Sequence, residues 1–331
     1  MENNRTQLQE TQQINLSGRE ELSRREACAK HFHLGGNRYQ AVIYPQNVHF
    51  RNPETGAWQE IDNTLDQTLT AAGRRVFRNR AGRLKMEFPQ EMDGGSAASL
   101  TDNGRTFAWS FEGELQPAAA TVRTGAQLKQ EARARIPSAE AAQQDWMEID
   151  TLNAEAAYGE VLPGVSLRYG LSGESLKEDI ILASAEALNR VALRLPREYD
   201  YEVTLQAQLR VKDRASGATL FVMQPPFVYD SAGEETFAQV RLTNLRDYVR
   251  LEYEIDSEFM KNAVYPVTID PVVKTATTQE AVCDSYIWKK NPNTNYGSVH
   301  LMRCGTGAGG ESISLVKFNR LISLKASDTV L

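Results

Sequence analysis

The sequence predicts an all-β protein: an assembly of antiparallel β-sandwich sheets followed by the first strands of a second, incomplete sandwich. Three observations lead there. Many short segments alternate apolar and polar residues with period two, which buries one face of a strand and wets the other. Turn residues (Gly, Asn, Asp, Pro) punctuate these segments at roughly 8–12-residue spacing, as in sandwiches. No strand–helix–strand alternation appears, which argues against a nucleotide-binding parallel sheet.

The elements follow in chain order. Residues 1–29 are polar and rich in Gln, Glu, Asn and Arg, with a short helix expected over 20–30 and the remainder without fixed structure. In the first β-rich half, 30–113, Gly35-Gly36-Asn37 joins strands at 31–34 and 38–44. Asn52-Pro-Glu-Thr-Gly56 joins a second pair, 48–51 and 58–61. Leu84, Met86 and Phe88 alternate with charged residues, as Phe107, Trp109 and Phe111 do with smaller ones. Residues 114–144 are rich in Ala, Gln, Arg and Glu and read as a linker or surface insertion, with a helix over 126–135. The second half, 145–272, resumes with strands at 165–171 and 176–182 around Ser172-Gly173-Glu174. Its clearest alternation is 202–212, where Val203, Leu205, Ala207, Leu209 and Val211 share a face. Asp213-Arg-Ala-Ser-Gly217 then turns the chain, and Asp62-Asn63, Asp102-Asn103-Gly104 and Asp270-Pro271 also read as turns. Trp58-Gln-Glu-Ile-Asp62 is echoed by Trp146-Met-Glu-Ile-Asp150, either as a repeated hairpin or as two similar strand ends.

Composition narrows the function classes. The 331 residues are 41% hydrophobic and 24% charged, ample for more than one core. The formal net charge of −6 leaves no basic surplus for phosphates, so nucleic acid is not an expected partner. No apolar run approaches the ~18 residues a membrane span needs. The polar N-terminus lacks a signal-peptide core, which leaves export by another route, a start further upstream, or a cytosolic protein.

At the C-terminal end, Ala281-Val-Cys-Asp-Ser-Tyr-Ile-Trp288 reads as a strand and Asn291-Pro-Asn-Thr-Asn-Tyr-Gly297 as a polar turn. A second strand follows, then a third apolar run at 312–319. This β-module, 273–331, starts without closing strands, as expected of a piece of a longer modular polypeptide. Three stretches carry a resemblance: Tyr39-Gln-Ala-Val-Ile-Tyr44 with Trp58-Gln-Glu-Ile-Asp62, Ala157-Tyr-Gly-Glu-Val-Leu162 with Leu176-Lys-Glu-Asp-Ile-Ile-Leu182, and Tyr265-Pro-Val-Thr-Ile-Asp-Pro271. Their order resembles the N-terminal region of DNRLRE-domain and RHS-repeat proteins of Gram-positive bacteria, the wall-associated type. Asn295-Tyr-Gly-Ser298 with Leu315-Val-Lys-Phe318 is similar to the start of a DNRLRE domain. The resemblance implies a β-sandwich module of an extracellular or cell-surface protein, often associated with carbohydrate. RHS repeats themselves are absent from the sequence.

Site residues follow from chemistry. Trp288, Tyr286 and Tyr296 offer rings that stack on pyranose faces, and Asn291, Asn293 and Asn295 offer amides for sugar hydroxyls; the other reading is a turn that fixes strand register. Cys283 and Cys304 either pair or stay as thiols. No catalytic residue is assigned. Glu178 and Asp179 are neighbours on a strand and point to opposite faces, so they do not make a facing pair of the glycosidase kind; they read as a solvated strand edge, with Lys177 as a surface charge. His31 and His33 share a strand face with His49 nearby, but no carboxylate or Cys spacing supports them, so no metal or cofactor is assigned. The expected function is a non-catalytic structural and adhesion segment of a secreted or cell-surface protein that contacts polysaccharide, cell-wall or host glycan, and joins downstream domains of the same polypeptide. The rivals are a polysaccharide lyase or hydrolase and a processing or encapsulation segment of an RHS-type toxin.

Overall fold

The computed structural model describes residues 19–134, 149–189, 191–276, 282–297, 303–307 and 310–318. The all-β expectation holds, and the strand ladders are antiparallel. Two large sheets carry the fold. One runs Gln239–Asn244, Val249–Glu254, Ala192–Leu195, Arg105–Phe111, Ala98–Asp102, Lys85–Pro89, Arg75–Ala81, Asp62–Leu69. The other runs Tyr199–Val203, Leu209–Asp213, Thr219–Met223, Val272–Thr275, Ser175–Leu182, Val165–Ser172, Asn153–Leu162, Ala118–Thr124, Glu91–Met92. The strands Phe227–Tyr229, Glu235–Phe237 and Val267–Asp270 branch from it. Both sheets draw strands from either side of residues 114–144, so the two halves of the chain interlock.

The sheets face each other across one continuous core. Leu84, Met86, Phe88, Phe107, Trp109 and Phe111 come from the first, and Leu167, Tyr169, Leu176, Ile180, Phe221 and Met223 from the second. Ring pairs cross the layer: Phe88 on Tyr169 at 5.2 Å and Phe107 on Phe221 at 5.7 Å. Each such large side chain contributes roughly 1.5–3 kcal/mol on full burial. Residues 19–61 form two small sheets with a core of their own around Val42, Tyr44, Val48, Phe50 and Ile61.

The turn chemistry is as expected at several hairpins. Gly35 and Gly36 have positive φ, Asn52 Oδ1 accepts from the Glu54 and Thr55 amides, and Asn103-Gly104 lies in left-handed backbone. Asp213 Oδ1 accepts from the Ala215 and Ser216 amides.

Five expectations are corrected. The helix over 20–30 is instead a strand Arg19–Glu20, a 3-10 turn Leu22–Arg24 and the start of strand Ala29–His33. The linker contains Ala118–Thr124, a strand of the large sheet; its small side chains gave no amphipathic signal because its pairing with Asn153–Leu162 supplies the order. A helix follows at Gly125–Ala134. The run 202–212 is a hairpin: Tyr199–Val203 pairs with Leu209–Asp213, Thr204 and Gln208 close the turn, Ala207 adopts φ 58°, and Leu205 is fully exposed. Alternation persists through such a turn, so period alone could not mark the break. Asn63 lies within a strand, fully buried, and its amide donates to the Leu152 and Gly173 carbonyls. Asp270 likewise ends a strand paired with Phe227. In the echoed motif, Asp62 opens a strand whereas Asp150 opens a 3-10 turn; residues 146–148 lie outside the described set.

Glu178 sits inside the sandwich at 0% exposure, and its Oε1 accepts from Trp109 Nε1 of the opposite sheet at 2.9 Å. Burial pushes its carboxyl up to about 7, against the opposing effect of the Trp109 bond. Because the folded value lies above the ordinary 4.5, unfolding releases a proton in this window. Stability therefore falls as pH rises from about 4.5 to about 7 and then levels off. Asp270, raised from 3.8 to about 7 by burial, acts in the same direction. Glu178→Gln keeps the acceptor for Trp109 and removes the titration. Thermal melts across this pH range should show a shallower decline for the variant, with a gain of roughly 3 kcal/mol or less at pH 8. An unchanged pH slope would contradict the assignment.

Candidate functional site

The C-terminal sheet orders Val282–Trp288, Gly310–Phe318, Gly305–Gly307. Its inward side chains meet the hairpin formed by Phe227–Tyr229 and Glu235–Phe237. Tyr286, Trp288, Tyr296 and Phe227 form one buried cluster, flanked by Tyr229 and Phe237. Tyr286 stacks on Tyr296 at 4.1 Å between centroids and 16° between planes. Phe237 packs on Tyr296 at 6.4 Å.

Charges reinforce this seam. Glu235 is held inside it; its Oε1 accepts from the Tyr286 hydroxyl at 3.3 Å and pairs with Arg303 at 3.2 Å. Burial raises the Glu235 carboxyl, partly offset by the Arg303 charge and the Tyr286 bond. The Arg303 guanidinium lies 4.1 Å from the Trp288 ring centre, and Lys290 pairs with Glu234. Beside this seam lies a cleft of about 290 Å³ whose walls include Gly233, Glu234, Trp288, Lys290, Arg303 and Thr306.

The rings expected to present stacking faces are thus placed as packing residues: Tyr286, Trp288 and Tyr296 are 2%, 3% and 2% exposed. Their partners, Phe227 and Phe237, are some fifty residues upstream, so the C-terminal sequence alone carries no sign of them. The asparagines form the turn. The Asn291 amide donates to the Trp288 carbonyl, and Asn295 Oδ1 accepts from the Gly297 amide. Asn291 is half-buried, while Asn293 and Asn295 are exposed.

Cys283 and Cys304 do not form a disulfide. Cys283 pairs with Lys317 near one end of the central strand, whereas Gly305, next to Cys304, pairs with Ser312 on its other side. Two strand spacings of about 4.8 Å and a stagger of several residues exceed the ~7 Å Cα reach of a disulfide.

A charged network on the outer face of the large sheet escaped the sequence reading. Glu178 and Asp179 do point to opposite faces, yet neither is solvated: Asp179 is 2% exposed. Lys177 is no free surface charge, since its Nζ lies 3.1 Å from both Asp179 Oδ1 and Asp270 Oδ2. Arg168 Nε donates to Asp179 at 2.6 Å, and Arg123 pairs with Glu155 beside it. Lys177 is raised despite burial, because Asp270 and Asp179 face it. Only the strand neighbours Tyr265-Pro-Val-Thr-Ile-Asp270 and Leu176-Lys-Glu-Asp179 hinted at this, and the pairing of the two strands had to be known first.

A third cluster lies in the N-terminal module. Glu20, His49 and Glu60 bring their donor atoms within 4.8 Å of one another. Arg25 donates to both Glu20 oxygens, at 2.7 and 2.9 Å, and Lys30 Nζ to Glu60 at 2.6 Å. Burial pushes the Tyr44 phenol nearby up to about 12, with the Glu20 and Glu60 charges adding to it. His31 and His33 lie on the adjoining strand Ala29–His33, and neither belongs to this trio.

No protein-family model matches the chain. Among curated proteins, the tRNA(Glu)-specific nuclease WapA of Bacillus subtilis subsp. natto is 22% identical over 330 residues, 93% of this chain and 13% of that protein. The tRNA nuclease WapA of Bacillus subtilis strain 168 is 21% identical over 333 residues, with the same shares covered. The tRNA3(Ser)-specific nuclease WapA of Bacillus spizizenii is 21% identical over 298 residues, 86% of this chain and 11% of that protein. Among solved structures, the crystal structure of heparinase III overlaps 80% of this chain and 44% of its own at 9% identity, with a TM-score of 0.36. The chain is therefore similar along most of its length to WapA proteins, and spans only 13% or less of theirs.

Proposed function

We propose that this chain is a non-catalytic structural and adhesion segment of a larger wall-associated type of surface protein, and that its C-terminal sheet opens a DNRLRE-type module. The observation that carries this reading is the aromatic seam. Four rings buried between the sandwich body and the C-terminal sheet tie the two together. A spacer that must hold a following module in a set direction needs that kind of joint. The extent of the likeness to WapA proteins supports it, since the match runs through both the body and the seam. The formal net charge of −6 speaks against tRNA as this segment's own ligand, whatever the whole relatives act on. Glu178 and Asp179, buried on opposite sides of one sheet, speak against a hydrolase using that pair. In this reading glycan contact falls to the exposed Asn293 and Asn295 and to the cleft rim, because the ring faces are occupied by packing.

A second reading, a segment that encloses or processes a downstream toxin, is favoured by one feature. Ile287, Ile313 and Leu315 line the outer face of the C-terminal sheet and are about half exposed.

Incubation of the purified chain with tRNA, soluble polysaccharides and purified cell wall should give no cleavage product. Sedimentation with cell wall should retain the chain, and Asn293→Ala with Asn295→Ala should weaken retention. Turnover of any of these substrates would overturn the non-catalytic reading. For the joint itself, Tyr286→Ala should destabilise the packing of the C-terminal sheet by about 3 kcal/mol. Hydrogen exchange would then quicken over residues 282–318 while protection of Trp109 and Tyr169 stays unchanged. Equal protection in wild type and variant would show that the seam is not the coupling element.

A further inference from the structure

The geometry points to a zinc site in the N-terminal module, formed by His49 Nε2 and the carboxylates of Glu20 and Glu60. His49 stands directly opposite Glu60 across the ladder of His49–Arg51 and Trp58–Glu60, so both side chains leave the same face. Glu20 enters from the neighbouring small sheet, its Oε1 3.8 Å from His49 Nε2.

The imidazole is set up as a ligand. Its Nδ1 lies 2.7 Å from the Glu26 carbonyl, which can only accept, so Nδ1 carries the hydrogen. That leaves a lone pair on Nε2. The residue is 1% exposed, and Nε2 has no hydrogen-bond partner although it faces two carboxylates. A buried acceptor aimed at other acceptors is unfavourable unless a proton or a metal cation sits between them. A backbone carbonyl behind the distal nitrogen is the usual second layer of a metal-binding histidine. Burial lowers the imidazole below its usual range, helped by the Arg25 and Lys30 charges and opposed by the Glu26 carbonyl and the Glu20 charge.

The donor set is one nitrogen and two carboxylates, which suits Zn²⁺ with water in the fourth position. Ligand bonds of about 2.0–2.2 Å require donors roughly 3.3–3.6 Å apart, so the observed spread of up to 4.8 Å must close slightly. Glu60 is 43% exposed and can make that movement. Arg25 pairs with both Glu20 and Glu60, and Lys30 pairs with the same Glu60 oxygen. Zinc would take over Glu60 from Lys30, whose long flexible side chain can swing away, and from the Arg25 Nη2 contact at 3.1 Å, while Arg25 keeps its fork on Glu20. The cations make the site a competitive one, and that supplies a distinctive test.

Calorimetric titration of the full chain with ZnCl₂ should show one saturable ion per chain. Glu60→Gln and His49→Ala should each weaken it at least about tenfold. Lys30→Met should do the opposite and tighten binding several-fold, which no unrelated cysteine or histidine site would do. Co²⁺ in place of Zn²⁺ should give the visible absorption of a low-coordinate ion, lost in Glu60→Gln. If His49→Ala does not fold, Glu60→Gln and Lys30→Met still decide. Absence of saturable binding, or binding unchanged by both Glu60→Gln and Lys30→Met, would overturn the site.

Discussion

The strand Ser175–Leu182 lies in the middle of the large sheet and sends ionisable side chains to both of its faces. Much of the fold is arranged around the requirement that such groups have partners. Inside the sandwich, Glu178 meets Trp109 of the opposite sheet, with Tyr169 on the adjacent strand. Burial favours the neutral carboxylic acid there, although the Trp109 and Tyr169 hydrogen bonds pull toward the anion. On the outer face, Asp179 and Asp270 come from adjacent strands and share Lys177, with Arg168 closing the set. Removing one member of such a network leaves an uncompensated charge, typically worth several kcal/mol. The network therefore links neighbouring strands through directional charged contacts as well as through the apolar pattern.

The same logic joins the smaller modules to the body. The Asn63 amide bridges the Leu152 and Gly173 carbonyls, and its Oδ1 accepts from Asn79, which in turn holds Leu84 and Met86. Glu174 accepts from Asn47 on one side and pairs with Arg83 on the other. These polar joints are directional, whereas apolar contact tolerates sliding. At the other end the joint is aromatic and ionic together: stacked Tyr286 and Tyr296 over Phe227, with Glu235, Arg303, Lys290 and Glu234 around them. Both attachments to the sandwich are thus made through specific side-chain contacts.

Sequence made legible what is local. Hairpins at Gly35-Gly36, Asn52–Gly56 and Asn103-Gly104 were readable because their turn residues supply left-handed backbone or side-chain caps. Strands such as Val165–Ser172 were readable because one face is buried. The hairpin at 199–213 was misread because Thr204, Gln208 and Ala207 are ordinary residues in an unusual conformation. Ala118–Thr124 was missed because a strand held by its neighbours needs little amphipathicity of its own. The Glu20–His49–Glu60 trio could not be read at all: its members are separated by turns and strands whose register only folding sets, and the sequence near His49 offers no ligand spacing.

The aromatic residues near the C-terminus show why a site is harder to read than a fold. A ring beside asparagines in a turn has the same composition whether it stacks on a sugar or on another ring. What separates the two is the other surface, and here that surface is the hairpin of Phe227–Tyr229 and Glu235–Phe237. Once Tyr286, Trp288 and Tyr296 are covered, the C-terminal sheet cannot tilt freely on the body without exposing the large apolar area of these rings. The rings then act on function through orientation: they fix where the turn at 291–297 and the outer ladder of Ile287, Ile313 and Leu315 point. A segment with such a joint can place whatever follows it at a set angle from the body, which a flexible linker could not do.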